Sequence, residues 1–223
     1  MILGRQGAGK GTQCLRLARH YRVPHVATGD MLRAMHRSGS KLAQRLATYM
    51  RAGELVPDDV AIAVVAHRLG QEDVHSGGFI LEGFPRTAAQ AEGLSSLLVP
   101  DDIDLCIDLE VDPAVVLARL SKRRVCQDCS TNYSVDRPPR DDWTCNVCGG
   151  KVRQREDDTE EAISRRLELY EAETAPLIAW YRARQKLVMI SGSGAPDTVT
   201  TRLVRAIDHR AGVETRGAGA PQR

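Results

Sequence analysis

The 223 residues carry 31 lysines and arginines against 29 aspartates and glutamates, a net charge of +2 at pH 7, and 42% of them are hydrophobic. A chain of this size buries a sizeable core as one domain, or as one domain with an inserted module. The near-neutral balance argues against a protein held to its partner by bulk attraction to nucleic acid, and no run approaches the length of apolar sequence that a membrane span needs. The first residues lack the charged, then apolar, then small-residue pattern of a secretory leader, so the expected location is the cytoplasm. Six cysteines in a reducing compartment point to metal ligands or inert thiols before disulfides. Lysine occurs only at 10, 41, 122, 151 and 186, so almost all positive charge is arginine. Compositional bias accounts for most of these, though the planar guanidinium fork also suits phosphate oxygens.

The chain starts on the apolar Met1-Ile2-Leu3, a short first strand, and runs directly into Gly4-Arg5-Gln6-Gly7-Ala8-Gly9-Lys10-Gly11-Thr12. Gly-x4-Gly-Lys is the spacing of a P-loop, in which glycines let backbone N–H groups turn inward around an anion and the lysine reaches the outer phosphates. Helical character over Gln13 to Tyr21 would present a helix N-terminus to those phosphates. The usual motif places Ser or Thr directly after the lysine, whereas here Gly11 intervenes and the hydroxyl comes at Thr12. Further helices are predicted at Asp30 to Arg37, Lys41 to Ala52, Asp58 to Leu69, Thr87 to Leu98 and Pro113 to Lys122, each with apolar residues three and four apart. Pro57-Asp58 and Asp112-Pro113 suit helix starts. Between the helices, Phe79 to Leu81, Leu105 to Leu109 and Leu187 to Ile190 read as strands, and the alternation specifies an α/β fold with a parallel sheet wrapped by helices. A long helical pattern runs from Thr159 to about Arg184 with a kink expected at Pro176, and a last helix lies near Asp197 to His209. The segment 210–223 has no apolar periodicity and is expected to be disordered.

From about Val125 to Arg155 the pattern breaks into a polar, turn-rich stretch. Within it Cys126-x2-Cys129 is followed after fifteen residues by Cys145-x2-Cys148, the spacing of a four-thiolate zinc site. Two disulfides are the competing reading, disfavoured by the missing leader. Four thiolates leave no coordination position open for water, so the metal would fold the module and not act in catalysis. Cys14 and Cys106 fall inside helix and strand patterns and are expected to be packed apolar residues.

Four further signatures stand at strand ends and at the hinges of the insert: Thr28-Gly29-Asp30-Met31-Leu32-Arg33; Glu82-Gly83-Phe84-Pro85-Arg86; Arg119, Arg123 and Arg124 ahead of the cysteine module; and Arg155, Asp157, Asp158 and Arg166 behind it. Any single arginine is most simply a solvated surface residue. The group Arg33, Arg86, Arg119, Arg123, Arg155 and Arg166 fits better as cations gathered on phosphates by a mobile cover. Asp157 and Asp158 precede Thr159-Glu160-Glu161, where acidic residues also favour a helix N-terminus.

On these motifs, from about Met1 to His209, the chain resembles the adenylate kinases, specifically the bacterial type with a zinc-binding lid. The Lys10-Gly11-Thr12 ending, anomalous for a P-loop in general, matches this family. The resemblance implies the P-loop nucleoside monophosphate kinase fold, a parallel five-stranded sheet flanked by helices with an inserted four-cysteine zinc lid. Its implied parts are core 1–29, a helical AMP-binding part 30–69, core 70–124, lid 125–155 and core 156–209. It implies reversible transfer of the terminal phosphoryl group of MgATP to AMP, giving two ADP. By resemblance Gly7, Ala8, Gly9, Lys10, Gly11, Thr12, Arg119 and Gly192 hold ATP. Thr28, Arg33, Glu54, Val56, Gly83, Arg86, Gln90, Arg155 and Arg166 form the AMP site, with the backbone around Glu54 and Val56 contributing and the Gln90 amide reading the adenine. Lys10, Arg86, Arg123, Arg155, Arg166, Asp157 and Asp158 form the catalytic set. The cofactors implied are Mg2+ with ATP and structural Zn2+, and the partners are ATP, AMP and ADP, with no nucleic acid, no membrane and a monomeric chain.

The acceptor in such a reaction is already an ionised oxygen, so positioning and charge neutralisation carry the catalysis and no general base is needed. Mg2+ would bridge the donor's phosphates near the Thr12 hydroxyl, with Glu82 orienting its water, and lid closure would exclude bulk water. The chain departs from the family in having Gln6 for Pro, Glu82 for Asp, Ser130 and Ser134 for Gly and His, and a first strand two or three residues short, as a start codon assigned too late would produce. A UMP or CMP kinase is the nearest alternative. A zinc-ribbon nucleic-acid binder with a vestigial P-loop fits poorly, because no aromatic residues interleave the arginines. A paralogue that binds nucleotides with slow turnover is suggested only by Gln6, Glu82 and the short strand.

Overall fold

The computed structural model describes residues 1–36, 41–75, 77–155 and 157–212. In chain order the first half comprises β1 (Ile2–Leu3), α1 (Lys10–Tyr21), β2 (His25–Ala27), α2 (Thr28–His36), α3 (Lys41–Ala52), α4 (Asp58–Leu69), α5 (Glu72–His75), β3 (Ile80–Glu82), α6 (Ala88–Leu98), β4 (Cys106–Glu110) and α7 (Pro113–Ser121). There follow β5 (Arg123–Cys126), β6 (Asn132–Ser134), β7 (Val152–Arg153), α8 (Glu160–Leu169), a π-helical turn (Tyr170–Thr174), α9 (Pro176–Ala183), β8 (Leu187–Ser191) and α10 (Pro196–Arg210).

Five strands form a parallel sheet in the order β2-β3-β1-β4-β8, with Ile2 paired to Glu82 on one side and to Ile107 on the other. Helices cover both faces, which is why successive residues of the central strands are buried instead of alternating: Ile2, Leu3, Leu81, Ile107 and Leu109 are all buried, and so is the charged Asp108 between the last two. On one face Cys14 and Leu17 of α1, Val116 and Leu120 of α7 and Leu203 of α10 pack over β4. On the other, Leu46, Val65 and Leu94 gather around Leu81 and Phe84. The two thiols expected to be core residues are core residues: Cys14 and Cys106 have no exposure, and burial pushes Cys106 up to about 12 and Cys14 well above its ordinary value, so neither is a nucleophile. Because all five strands run the same way, Leu3, Ala27, Glu82, Glu110 and Ser191 end at one edge, and the loops that follow them share it.

The sequence reading misses β2 entirely. Three residues with a polar histidine at one end carry no period, and His25–Ala27 is a strand only because β3 offers it a parallel ladder. The short α5 is likewise absent from the sequence pattern. α2 starts at Thr28, two residues earlier than expected, and Arg37 lies outside the described residues. Asp112 caps α7 as expected, accepting from the Ala114 N–H, with Pro113 behind it in the first turn. Pro57, by contrast, is itself the cap of α4, and the Asp58 carboxylate turns away to accept from Thr87 and Gln90. The single kinked helix expected over Thr159 to Arg184 is two helices joined by the π-helical turn. Its extra residue shows in the bond from the Ala175 N–H to the Tyr170 carbonyl at 2.8 Å, and Pro176, lacking an N–H, opens α9. Of the segment expected to be disordered, Arg210 closes α10, 211–212 form a turn and 213–223 lie outside the described residues.

The insert is a separate three-stranded antiparallel sheet, β6-β5-β7. Its apolar contribution is small: Cys126, Cys145 and Val152 with Tyr133 and Trp143 against them.

Gly53, at the end of α3, has φ +76, and a methyl group there would lie 2.5 Å from the Ala162 carbonyl oxygen of α8, a backbone atom that cannot move aside. Gly53→Ala therefore combines left-handed strain with overpacking and should destabilise the fold by about 2–4 kcal/mol, read as a lowered Tm in thermal unfolding; an unchanged Tm would contradict this placement.

Candidate active site

The loops at the common edge enclose a cleft of about 990 Å3. Its floor is the turn between β1 and α1. Gly7 and Gly9 take φ values of +82 and +101, and at Gly7 a methyl group would also lie 2.8 Å from Leu120 Cγ, so the loop's path needs glycine there for two reasons. Gly9 stands at the head of α1 with no side-chain cap and no acidic residue in the first turn, which leaves the helix N–H groups and the positive end of its dipole facing the cleft. The Lys10 ammonium folds back to donate to the carbonyls of Gly4 at 2.6 Å and Arg5 at 2.8 Å. It is half-buried, and desolvation, with Arg86 and Arg123 adding to it against the opposing charge of Glu82, lowers its pKa to about 8.

Lys10, Arg33, Arg86, Arg119, Arg123, Arg155 and Arg166 all border this one cleft. Arg119 reaches from α7 to the Ala8 carbonyl at 3.2 Å. Arg86 donates to the Gly83 carbonyl at 3.1 Å, and its burial, together with the neighbouring Arg166, lowers it to about 10. Arg33 pairs with Asp30, and burial and the charge of Arg155 hold it below its usual value. Arg155 grips Asp157 through two bonds of 2.9 and 2.6 Å, and Arg166 donates to the same carboxylate at 2.6 Å and to the Met50 carbonyl at 2.9 Å. Burial alone would raise the Asp157 carboxyl; these arginines outweigh it and hold the carboxyl well below the usual range. Asp158, fully buried, carries Arg123. Cations thus outnumber the carboxylates Asp30, Glu82, Asp157 and Asp158 around the cleft, and cations so desolvated call for an anion.

Of the residues expected at the nucleotide sites, Gly7 to Thr12, Thr28, Arg33, Glu54, Val56, Gly83, Arg86, Gln90, Arg119, Arg123, Arg155, Asp157, Arg166 and Gly192 border the cleft, and Asp158 lies behind it. The Glu54 side chain pairs with Arg165 at 2.7 Å on the surface, so its backbone is what the cleft receives. Gln90 is buried with both ends of its amide in use: Oε1 accepts the Arg86 N–H at 2.8 Å and Nε2 donates to Asp58 at 2.7 Å. One N–H and one lone pair remain for a ligand. The buried Thr28 hydroxyl has no partner at all among the described residues. At Gly192 a methyl group would lie 2.7 Å from Val111 Cγ2, which explains a glycine there by close packing.

Sequence reasoning missed several residues that border the cleft: His25, Asn132, Tyr133, Arg137 and Tyr170; Gln6 was noted only as a departure within the P-loop. His25 escaped notice with its strand. Its Nε2 lies 2.9 Å from Glu82 Oε2, and that bond, with the charges of Lys10 and Arg33, overcomes the opposing effect of burial to keep the Glu82 carboxyl below its usual value. The Cys14 thiol is close to both, the three donor atoms lying within 4.8 Å of one another, but burial keeps it protonated. Lid residues such as Asn132 could not have been chosen from spacing, because only the fold of the insert carries them over the P-loop.

Cys126, Cys129, Cys145 and Cys148 converge, with donor atoms all within 4.8 Å and the pairs Cys126–Cys148 and Cys129–Cys145 at 3.4 and 3.6 Å. None is in a disulfide. A tetrahedron of thiolates about 2.3 Å from a zinc ion has edges of about 3.8 Å, so the four sulfurs fit one metal ion. The Tyr133 hydroxyl at 3.3 Å and the Val147 N–H at 3.4 Å bond Cys145, and such bonds outweigh burial to lower it to about 6. Ser130, in the first knuckle, takes φ 58, the conformation a glycine would hold without strain.

A P-loop at the head of α1, on a cleft at the C-terminal edge of a parallel sheet that also takes in residues of α2, α6 and the four-cysteine insert, marks a P-loop kinase of nucleotides. The family model for adenylate kinase matches residues 2–186. Curated adenylate kinases of Caldicellulosiruptor bescii, Desulfitobacterium hafniense and Acidothermus cellulolyticus are 42%, 43% and 45% identical over 210, 212 and 212 residues, covering 93%, 94% and 94% of this chain and 97% of each relative. The chain belongs to the adenylate kinase family. No helix among the described residues is long and apolar enough to cross a membrane.

A phosphate ligand requires Lys10 in its charged form, and the cleft already lowers that lysine to about 8. The charged fraction of the free enzyme therefore falls as pH rises through about 8, and kcat/KM for ATP should fall with it, while kcat holds to higher pH because bound phosphates favour the charged form. A kcat/KM profile flat to about pH 10 would contradict the desolvated placement of the Lys10 ammonium among these cations.

Proposed function

We propose a division of labour within this cleft for the reaction of the family. The protein transfers the terminal phosphoryl group of ATP reversibly to AMP, giving two ADP. The observation that carries the reading is the convergence of Lys10 and six arginines on one cleft whose histidine and carboxylates are all engaged among the described residues: Asp30, Glu54 and Asp157 with arginine, Asp136 with Lys122, and Glu82 with His25. Such a site performs chemistry in which the nucleophile is already ionised and charge on the moving group must be neutralised.

The donor lies along the loop from Gly7 to Thr12, its phosphates on the N–H groups at the head of α1 and on Lys10, with Arg119 and the loop at Gly192 flanking its nucleoside end. The acceptor lies between α2, α3 and α6. There the orphaned Thr28 hydroxyl, Arg33 and Arg86 meet its phosphate, the backbone at Glu54 and Val56 with Gly83 lines its nucleoside, and the spare donor and acceptor of Gln90 match the edge of adenine. Arg123, Arg155 and Arg166 converge on the transferring group, and Asp157 and Asp158 hold them in place. Mg2+ bound with ATP supplies neutralisation of the charge shared by the β and γ oxygens. Thr12 and the ionised Glu82 are the residues that fit it and its waters. Residues 30–69 serve as the acceptor-binding part and 125–155 as a lid that excludes water from the moving group, which would otherwise be lost by hydrolysis. The protein acts as a cytoplasmic monomer on free nucleotides, without nucleic acid.

Zinc is the metal that the four thiolates fit, since the set is soft, tetrahedral and closed, and its role is structural. Metal analysis should find about one zinc per chain, lost on Cys→Ser at 126, 129, 145 or 148 with the lid loosened and the parallel core folded; a chain without bound metal would overturn this.

ADP formation from ATP with AMP, CMP, UMP and GMP in turn tests the reaction. AMP is expected to be the preferred acceptor by at least about a hundred-fold, the discrimination that a hydrogen-bonded base edge supplies. Lys10→Ala should abolish transfer while leaving the fold intact. Preference for CMP or UMP would move the assignment to another nucleotide kinase, and near-normal turnover of Lys10→Ala would remove the donor site from the P-loop.

A further inference from the structure

Phosphate binding does not by itself explain the surroundings of Asp158. This carboxylate does not border the cleft and its side chain has no solvent exposure, yet three separate elements reach it. Arg123 of β5 donates through Nε at 2.8 Å and through a second nitrogen, Arg166 of α8 stands 3.7 Å away, and Gln6 of the P-loop donates through Nε2 at 3.4 Å. Its backbone carbonyl is engaged separately by Gln154 at 3.0 Å. The other end of the Gln6 amide, Oε1, is buried without a hydrogen-bond partner, and Gln6 itself lines the cleft.

A carboxylate withdrawn from water needs donors on both oxygens, and a donor that leaves must be replaced. Arg123 and Arg166 are the side chains assigned above to the transferring phosphoryl group; each guanidinium has further N–H groups for phosphate, but a guanidinium that turns toward phosphate weakens its hold on Asp158. Gln6 is the neutral donor on that carboxylate. It can serve Asp158 without being drawn to phosphate charge, and it does so from the loop that carries the donor nucleotide. Its unpartnered Oε1 is an acceptor at the cleft wall, able to take an N–H from a guanidinium that turns inward.

We propose that Gln6 is a positioning residue for phosphoryl transfer: its amide ties the P-loop to Asp158 and thereby holds Arg123 and Arg166 in the orientation the moving group requires. The proposal rests on the assignment of those arginines to the transferring group. It couples occupation of the donor loop to the geometry of the lid hinge through one neutral side chain.

Steady-state kinetics of the full zinc-containing chain test it. Gln6→Leu removes both hydrogen-bonding functions at similar volume, and Gln6→Glu keeps the shape but sets an acceptor against Asp158. In Gln6→Leu kcat should fall about ten-fold, the size expected for one hydrogen bond to a charged group, while KM for AMP stays within about two-fold; Gln6→Glu should fall further. In an Asp158→Asn background the same Gln6→Leu change should lower kcat by less than about two-fold, because the carboxylate it serves is gone. An unchanged kcat in Gln6→Leu, an equal loss in both backgrounds, or a lowered Tm with full kcat below the unfolding transition would each overturn the proposal. Lys10→Met separates this from the reading beneath it. Turnover that survives Lys10→Met removes the donor site, whereas an inactive Lys10→Met beside an unaffected Gln6→Leu removes only the coupling.

Discussion

The structure turns on a surplus of buried positive charge. Lys10 and Arg86 are half-buried at the cleft wall, and desolvation among neighbouring cations lowers the pKa of both. Asp157 and Asp158 offset part of this by gripping Arg155, Arg166 and Arg123, but two carboxylates cannot satisfy so many guanidinium groups. An arrangement of this kind is held in place by the rest of the fold and relieved by a polyanion. The same electrostatics that burden the free protein supply complementarity to a charged transition state without reorganisation at the moment of reaction.

The parallel sheet makes that concentration possible. Strands running in one direction deliver the P-loop, the Thr28 turn, the Gly83 to Arg86 turn and the Gly192 loop to one edge, and the helix that follows β1 points its N-terminus into the same space. The cysteine module has only Val152, Tyr133 and Trp143 for an apolar core, and its four thiols converge on a position that fits one metal ion. Its strand β5 runs from Arg123 to Cys126, which places an arginine of the cleft and one of the four clustered cysteines on one segment. The order of the insert and the position of that arginine are therefore linked.

Much of this was legible in the sequence where a local rule suffices. The P-loop spacing, the four-cysteine spacing, the Asp112-Pro113 helix start and the apolar runs of β3, β4 and β8 each depend on residues close together in the chain. β2 was illegible because His25–Ala27 has no periodicity and becomes a strand only through its ladder to β3. The π-helical turn after Leu169 was hidden for the opposite reason: the helical period continues through it, and Pro176 marks the break only on its far side. At the site, glycines, lysine and arginines announced themselves by type and spacing, whereas His25 and Asn132 carry no motif and enter the cleft only through folding, and Gln6 was visible only as an odd residue in the P-loop, without its partner.

By itself the sequence determined the chemistry on offer: a glycine loop able to wrap an anion, an excess of arginine at strand ends, and four thiols paired for a tetrahedral ion. Those are properties of residue types at short separations, and backbone sterics and ligand geometry decide them locally. The tertiary structure decided which charges are buried and which partner each one has. It set Lys10 beneath the loop and Glu82 against His25, and it gave one buried Asp158 to an arginine of β5, an arginine of α8 and a glutamine of the P-loop, across 152 positions of chain in the last case. Desolvation and pairing depend on what the whole fold brings within a few ångströms, and no local pattern encodes that distance.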